Sequence, residues 1–263
     1  MATILDRILA SKREEVAAAH AAVPESTLRS QVAGLPPPRR FEQALRDKRA
    51  AGQPAVIAEI KRASPSQGVM KADIDPAAIA GGYERAGAAC LSVLTDGPYF
   101  KGAPADLKAA RAACGLPVLR KDFMVDPYQV WEARAMEADC ILLIAGAVPV
   151  AAMQEMAGIA QELGMAVLVE SHRSDELDAA LQVPTPLIGI NNRDLATFST
   201  DLSISIELSR RVPPDRLVIA ESGVSSAADV LRLSAAGIHA FLVGGAFMSA
   251  PDPGAELMRI FTR

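Results

Sequence analysis

The feature of this sequence that most constrains its fold is a repeated alternation between short apolar runs and longer stretches with helical spacing. Strand-like runs occupy residues 55–61, 90–95, 117–121, 140–145, 166–170, 187–191, 217–221 and 240–244. Helical patterns follow them at residues 76–86, 103–113, 127–138, 149–163, 174–181, 202–211, 226–236 and 253–261. Strands that stay apolar along their length are typical of parallel sheets covered by helices. Eight such units predict an α/β protein, a closed (β/α)8 TIM barrel.

An open, doubly wound parallel sheet is the competing architecture for the same pattern. That architecture commonly has a G-x-G-x-x-G fingerprint after a strand, and no strand here is followed by one. We therefore expect residues 1–263 to form a single barrel domain, with residues 1–50 as an N-terminal helical extension. One helix is predicted from Thr3, a candidate N-cap, to Ala22, and a second near residues 41–49. The extension has too few apolar residues to fold alone.

Composition excludes several classes of function. A net charge of -4 and 4% aromatic residues argue against a nucleic-acid-binding protein. Cys90, Cys114 and Cys140 lack metal-ligand spacing, and a sparse, odd cysteine count fits a reducing compartment. No apolar run reaches membrane-spanning length, and the first residues do not resemble a signal peptide. We expect a cytoplasmic protein without nucleic-acid or membrane partners.

Polar side chains follow most of the predicted strands, at the edge where such barrels build their sites. They occur at residues 59–61, 120–122, 170–172, 191–194, 221–223 and 244–245. In the first of these, Glu59 and Lys61 lie two residues apart and so on the same face of the strand. Burying such charges is costly unless they are paired or used. One polar strand end is as typical of a solvated loop as of a site, but six together predict one shared site.

Glycines after the last two strands predict an anion site. Gly223, Gly244 and Gly245 would let backbone N–H groups approach an anion closely. Phosphate sites of these barrels commonly lie at the loops after strands seven and eight, and a following helix N-terminus would reinforce one. Ser64 could donate a further hydrogen bond. The alternative is that these glycines form tight turns with no ligand.

The ionisable side chains at the strand ends suit proton transfer. They are Lys61, Lys121, Glu59, Glu170 and Glu221, with Asn191 among them. Ion pairs between lysines and glutamates would place these groups in different protonation states. Proton transfer by such groups suits a sugar-like carbonyl substrate. A Schiff base on a lysine stays open as an alternative. No spacing predicts a metal site or a Cys/His nucleophile, and His172, just past the fifth strand, is a further candidate for contact with the site.

Motifs that run through nearly the whole barrel make the sequence resemble the indole-3-glycerol phosphate synthase family. They are AEIKRASPS at 58–66, LTD at 94–96, YFKG at 99–102, LRKDF at 119–123, LVE at 168–170, GINNRDL at 189–195 and AESGV at 220–224. The helical extension is also a feature of that family. The resemblance implies a (β/α)8 barrel without metal or organic cofactor, a phosphorylated small-molecule substrate and a monomer.

The resemblance also implies the reaction and the residues that perform it. The substrate would be 1-(2-carboxyphenylamino)-1-deoxyribulose 5-phosphate, and the products indole-3-glycerol phosphate, carbon dioxide and water. Lys121 would be the general acid in ring closure, Glu170 would serve the dehydration, and Lys61 would hold the substrate carboxylate or phosphate. The other catalytic positions implied are Glu59, Asn191, Glu221 and Ser222. The substrate-binding positions implied are Ser64, Gly223, Gly244 and Gly245 for phosphate, Pro65, Phe100 and Phe123 for the anthranilate ring, and Arg193.

Two positions depart from the family pattern. The run after strand eight is GGAFM at 244–248, where a serine is frequent, and Ala103 stands where serine is common. A phosphate site made of backbone donors survives the first change. Two other functions are possible for a barrel of this kind. A phosphoribosyl isomerase would need an Asp/Cys or Asp/Asp pair at strand ends, and a silent metabolite-binding barrel would lack Lys61, Lys121 or Glu170.

Overall fold

The computed structural model of the chain describes residues 3–194 and 198–262. Leu195, the last residue of the 189–195 motif, lies outside the described residues. Among the described residues, no helix is long and apolar enough to cross a membrane.

Eight parallel strands close into a barrel, as the alternating pattern predicts. They are β1 Ala55–Ile60, β2 Cys90–Leu94, β3 Val118–Lys121, β4 Cys140–Ile144, β5 Ala166–Ser171, β6 Leu187–Asn191, β7 Leu217–Glu221 and β8 Ala240–Val243. Each strand pairs with its neighbours in sequence, and β1 also pairs with β8, in register from Ala55 with Ala240 to Ala58 with Val243. The closed ring excludes the open, doubly wound sheet.

The helices of the barrel cover its outer face. They are α4 Pro76–Arg85, α5 Pro104–Ala113, α6 Tyr128–Ala135, α7 Val150–Glu162, α8 Ser174–Ala180, α9 Ser203–Ser209, α10 Ala227–Ala235, α11 Gly245–Ser249 and α12 Pro253–Phe261. The short α11, which directly follows β8, was not among the predicted helices. A two-residue antiparallel ladder after β1, Ala63–Ser64 with Gly68–Val69, was not predicted either.

The described residues before β1 form three helices where the sequence pattern predicted two. They are α1 Ile4–Ala22, α2 Glu25–Ala33 and α3 Phe41–Ala50. Helix α2 has a weak sequence signal, because its buried residues are only Leu28 and Val32 and its N-cap, Pro24, has no side-chain hydrogen bond. The N-cap predicted for α1 is confirmed, since Thr3 and Asp6 form a capping box.

Alternation along the strands divides the core into two layers. In β1, Ile57 lies in the apolar cluster that fills the barrel, whereas Val56 and Ala58 lie in the cluster between sheet and helices. Phe41 and Leu45 of α3 belong to the same cluster as Ile57. The extension therefore shares the core of the barrel.

A buried lysine ties α1 to the edge of the barrel where the strands end. Lys12 Nζ lies 3.0 Å from Asp96 Oδ1 and 3.0 Å from Asp122 Oδ1. These carboxylates follow β2 and β3, and both side chains are buried. Burial opposes the charged form, but Asp122 and the neighbouring carboxylates raise the pKa of Lys12 above its ordinary value. The charged lysine holds α1 across two strand ends.

Candidate active site

The carboxyl ends of the strands surround a cavity of about 450 Å³. Every residue that sequence motifs assigned to the site lines it. These are Glu59, Lys61, Ser64, Pro65, Phe100, Lys121, Phe123, Glu170, Asn191, Arg193, Glu221, Ser222, Gly223, Gly244 and Gly245. Seven different strands and their following loops thus contribute to one site.

Lys121 is the centre of the charged part of the cavity. Its Nζ donates to Glu170 Oε2 at 2.6 Å and to Glu221 Oε2 at 2.9 Å. Burial disfavours the ammonium, but the charges of Glu170 and Glu221 outweigh it and raise the pKa of Lys121. The lysine is therefore held as a cation between two carboxyl groups.

The two glutamates beside Lys121 differ in their surroundings. Glu170 also accepts from Asn191 Nδ2 at 2.9 Å, and although burial opposes it, the Lys121 charge lowers the pKa of Glu170 to about 2. Burial and the neighbouring charge of Glu170 instead raise the pKa of Glu221 to about 8. The buried Glu221 Oε1 has no hydrogen-bond partner among the described residues. Glu170 is thus a hydrogen-bond acceptor, whereas Glu221 is able to hold a proton. Such a difference in pKa between neighbouring carboxyl groups suits acid–base catalysis.

Two strand glycines make room for this arrangement. A Cβ at Gly189 would lie 2.3 Å from Glu221 Oε1, and a Cβ at Gly244 would lie 2.3 Å from Glu59 Oε1. Glycine inside a strand is a signal of such close approach. The sequence reasoning used Gly244 only as a phosphate donor and did not single out Gly189.

A second lysine lies at the end of β1. Lys61 Nζ is 2.7 Å from Glu59 Oε1, which confirms that the two side chains share a face. The Lys61 side chain is 14% exposed and lines the cavity. Its ammonium is therefore available to an anionic group of a ligand.

One side of the cavity is apolar. The rings of Phe100 and Phe123 lie with centroids 5.9 Å apart, after β2 and β3. Pro65 lines the same cavity from the loop after β1. Together they form a wall able to hold a planar aromatic group.

The part of the cavity after β7 and β8 is lined largely by backbone. Ser222 and Gly223 have positive φ values of 60° and 83°, so the chain turns sharply after β7. Gly244 and Gly245 lead into α11, and Ser64 lines the cavity next to them from the loop after β1. Arg193 Nη1 donates to Ser66 Oγ at 3.1 Å, so its guanidinium reaches the same loop. This side has the N–H groups and positive charge that suit an anion.

Some lining residues were missed by the sequence reasoning, and some polar strand ends lie elsewhere. The missed residues include Ile4, Leu5 and Ile8 of α1, and Gln67 and Ser225 of the loops. The apolar face of α1 predicts packing on the barrel, but nothing in the local sequence indicates that it packs beside the cavity.

Arg120, inside β3, and Asn192, directly after β6, do not line the cavity. Arg120 Nη2 instead donates to Asp122 Oδ2, and the Asn192 side chain donates to the Glu221 carbonyl. Ser171 donates to the Gly189 carbonyl. Polar strand ends therefore also serve the barrel framework. Within the described part of the chain, no group of three His, Cys, Asp or Glu side chains is arranged to hold a metal ion.

Comparison with known proteins identifies relatives along the whole chain. The family model described as indole-3-glycerol phosphate synthase matches residues 5–260. Curated proteins named indole-3-glycerol phosphate synthase, from Aromatoleum aromaticum and Dechloromonas aromatica, are 58% and 56% identical over 261 residues. Each match covers 99% of this chain and 100% of the relative.

Among solved structures, a cube-shaped, porous protein cage designed by fusing symmetric oligomeric domains is similar in fold. It aligns with a TM-score of 0.55 over 79% of this chain and 72% of that chain, at 18% identity. A likeness at that identity supports the fold alone.

Proposed function

The chain belongs to the indole-3-glycerol phosphate synthase family and has that family's activity, and we propose how its cavity performs the reaction. The enzyme is a carboxy-lyase of tryptophan biosynthesis. It converts 1-(2-carboxyphenylamino)-1-deoxyribulose 5-phosphate into indole-3-glycerol phosphate, carbon dioxide and water. The observation that carries the proposal is the position of Lys121 in the cavity between Glu170 and Glu221.

The substrate lies across the barrel between the apolar wall and the backbone-lined side. The anthranilate ring packs on Phe100, Phe123 and Pro65, which supply an apolar surface. The phosphate binds the N–H groups around Gly223, Gly244 and Gly245, with Ser64 as a further donor. Arg193 adds positive charge on this side.

Lys121 acts as the general acid in ring closure. It donates a proton to the sugar C2 carbonyl oxygen as the aromatic ring attacks that carbon. The raised pKa of Lys121 means that the group is charged before each turnover. Loss of carbon dioxide then restores the conjugation of the ring.

Glu170 accepts and returns protons in the dehydration that follows. The low pKa of its carboxyl means that Glu170 starts as an acceptor. Lys61 holds the substrate carboxylate or phosphate from the end of β1. The groups that orient the sugar hydroxyls and the two lysines are Glu59, Asn191, Glu221 and Ser222. Glu221 Oε1, which has no hydrogen-bond partner in the described part of the chain, can accept from a hydroxyl.

The donor set needs no cofactor for these steps, since each is a proton transfer or a bond rearrangement of the substrate. We also propose a single domain, a monomer and a cytoplasmic location. The apolar core shared between extension and barrel supports one domain. Among the described residues, the large exposed hydrophobic side chains are Val69, Leu231 and Met258, which supports a monomer. Three free, buried cysteines fit a reducing compartment.

The experiment is to follow the indole fluorescence of the product with purified wild type, Lys121→Ala and a matched control, Lys108→Ala. Lys108 is exposed on α5. We expect kcat to fall about 10²- to 10⁴-fold in Lys121→Ala, as for a lost general acid, and to be unchanged in the control. Full activity of Lys121→Ala would remove the proposed role but keep the function. Absence of product from folded wild type would contradict the function itself.

A further inference from the structure

His172 is a titratable side chain beside the site that the proposed mechanism does not use. Its Nε2 lies 3.4 Å from Glu170 Oε1, on the opposite side of that carboxyl group from Lys121, which binds Oε2. The His172 side chain is 9% exposed and does not line the cavity. Its Nε2 has no aligned hydrogen bond to any described residue. A buried imidazole nitrogen is therefore directed at the carboxyl group proposed to exchange protons with the substrate.

Glu176 determines which imidazole nitrogen carries the fixed proton. Glu176 Oε2 accepts from the His172 backbone N–H at 2.7 Å and lies 3.2 Å from His172 Nδ1. Although burial opposes it, the hydrogen bonds from His172 hold the pKa of Glu176 below its ordinary value. Arg173 Nη2, 2.9 Å from Glu176 Oε1, adds a positive charge on the outer side. An ionised carboxylate only accepts hydrogen bonds, so Nδ1 must be the donor.

With a proton fixed on Nδ1, only Nε2 is left to gain or lose one. When Glu170 is protonated, the neutral imidazole accepts from its hydroxyl group. When Glu170 is ionised, an imidazolium donates to it from Nε2. Glu170 Oε1 and His172 Nε2 attract each other when one proton lies between them and repel each other when none does. The titratable and charged groups that face this pair are Glu176 on α8, Arg173 in the loop before it, and Lys121 and Glu221, which lie next to Glu170.

We propose that His172, oriented by Glu176, is a positioning residue that exchanges a proton with Glu170 during turnover. The inference rests on the proposed function, in which Glu170 serves the dehydration. Glu170 takes one proton from the ring-closed intermediate and passes it to His172 Nε2, which leaves an imidazolium and an ionised Glu170. The imidazolium then returns the proton through Oε1, and the departing hydroxyl group leaves with one proton as water. The transfer is balanced and needs no other reactant.

The test compares kcat, KM and the pH profile of kcat for wild type, His172→Gln and Asp175→Asn. Glutamine retains a side-chain donor for Glu170 but cannot take up a proton. We expect kcat of His172→Gln to fall about 10- to 100-fold, less than the 10²- to 10⁴-fold of a direct acid or base, with KM little changed. The acid limb of its pH profile should also shift. Asp175 is the matched control, because its carboxylate is 73% exposed and contacts Arg173.

Chemical rescue and NMR make the test independent of the glutamine variant. Added imidazole should restore part of the activity of His172→Ala, which a packing role would not allow. In wild-type protein labelled with ¹⁵N at histidine, the signals of neutral His172 should show the proton on Nδ1 and none on Nε2. The reverse tautomer would overturn the inference, whether or not the variants fold.

The outcomes separate this inference from the function. Active wild type with unchanged kcat and pH profile in His172→Gln would refute the role of His172 and leave the function intact. Inactive, folded wild type would refute both. Reduced kcat with unchanged KM and rescue by imidazole would support the inference.

Discussion

Replacing Lys12 by methionine should destabilise the fold through the carboxylates that it leaves behind. Asp122 keeps two partners, with Arg120 Nη2 at 3.1 Å and Thr95 Oγ1 at 2.6 Å from its Oδ2. Asp96 keeps only the backbone N–H groups of residues 99 and 100, both on Oδ2, so its buried Oδ1 loses its cation. The penalty therefore falls mainly on Asp96.

Breaking a buried ion pair costs about 3–5 kcal/mol, and we expect about 3 kcal/mol because Asp122 stays compensated. For a chain of this size 1 kcal/mol corresponds to about 2–4 °C, which gives a decrease in Tm of roughly 6–12 °C. Thermal unfolding followed by circular dichroism measures it. The control is Arg46→Met, which removes a partly exposed ion pair with Glu42 and should change Tm much less.

Removing the charge of Asp96 should restore part of the stability that Lys12→Met loses. We expect Lys12→Met/Asp96→Asn to be more stable than Lys12→Met alone, since the buried charge is gone. KM should also rise in Lys12→Met, because α1 supplies Ile4, Leu5 and Ile8 to the cavity. A Tm for Lys12→Met equal to that of Arg46→Met would refute the reasoning.

Three further predictions concern the site. Gly189→Ala should lower kcat about 100-fold, because its Cβ would displace the Glu221 carboxyl and a shift of about 1 Å is enough for such a loss. Circular dichroism should show that the fold is retained. An unchanged kcat would contradict the close contact. Lys121→Met should be less stable than wild type at pH 7, but the difference in free energy of unfolding should shrink as pH falls from the ordinary Glu170 pKa of 4.5 toward about 2. Because the folded state lowers the Glu170 pKa, the stability from its pairing with Lys121 is complete above pH 4.5 and is lost as pH falls toward about 2. Urea unfolding that shows the same stability difference between the two proteins throughout this pH range would contradict the prediction. Phe123→Ala should raise KM more than it lowers kcat in steady-state kinetics, because it removes apolar binding surface; a change confined to kcat would oppose this role.

The strands were predictable because their signal is local. Apolar runs bounded by polar or glycine residues located all eight strands, with ends that differ from the structure by at most one residue. The second helix of the extension was missed because two buried residues, Leu28 and Val32, are too few for a visible period.

The candidate site was predictable where chemistry coincides with a strand end. Glu59, Lys61 and Lys121 could be placed because parallel strands deliver their last side chains to one rim. The contribution of Ile4 and the role of Lys12 could not, since they depend on how α1, which is distant in sequence from the strand ends it contacts, docks on the barrel. The difference in pKa between Glu170 and Glu221 could not be predicted either, because it arises from neighbours that only the folded structure defines.

The pairing of β1 with β8 has a consequence for synthesis on the ribosome. The first strand is complete at residue 60, but one of its two partners, β8, ends only at residue 243. Until that last strand leaves the exit tunnel, β1 has an unpaired edge that can pair with other chains. We expect nascent chains stalled before β8 to be recruited by chaperones or to aggregate, and release of the last strand to end that exposure.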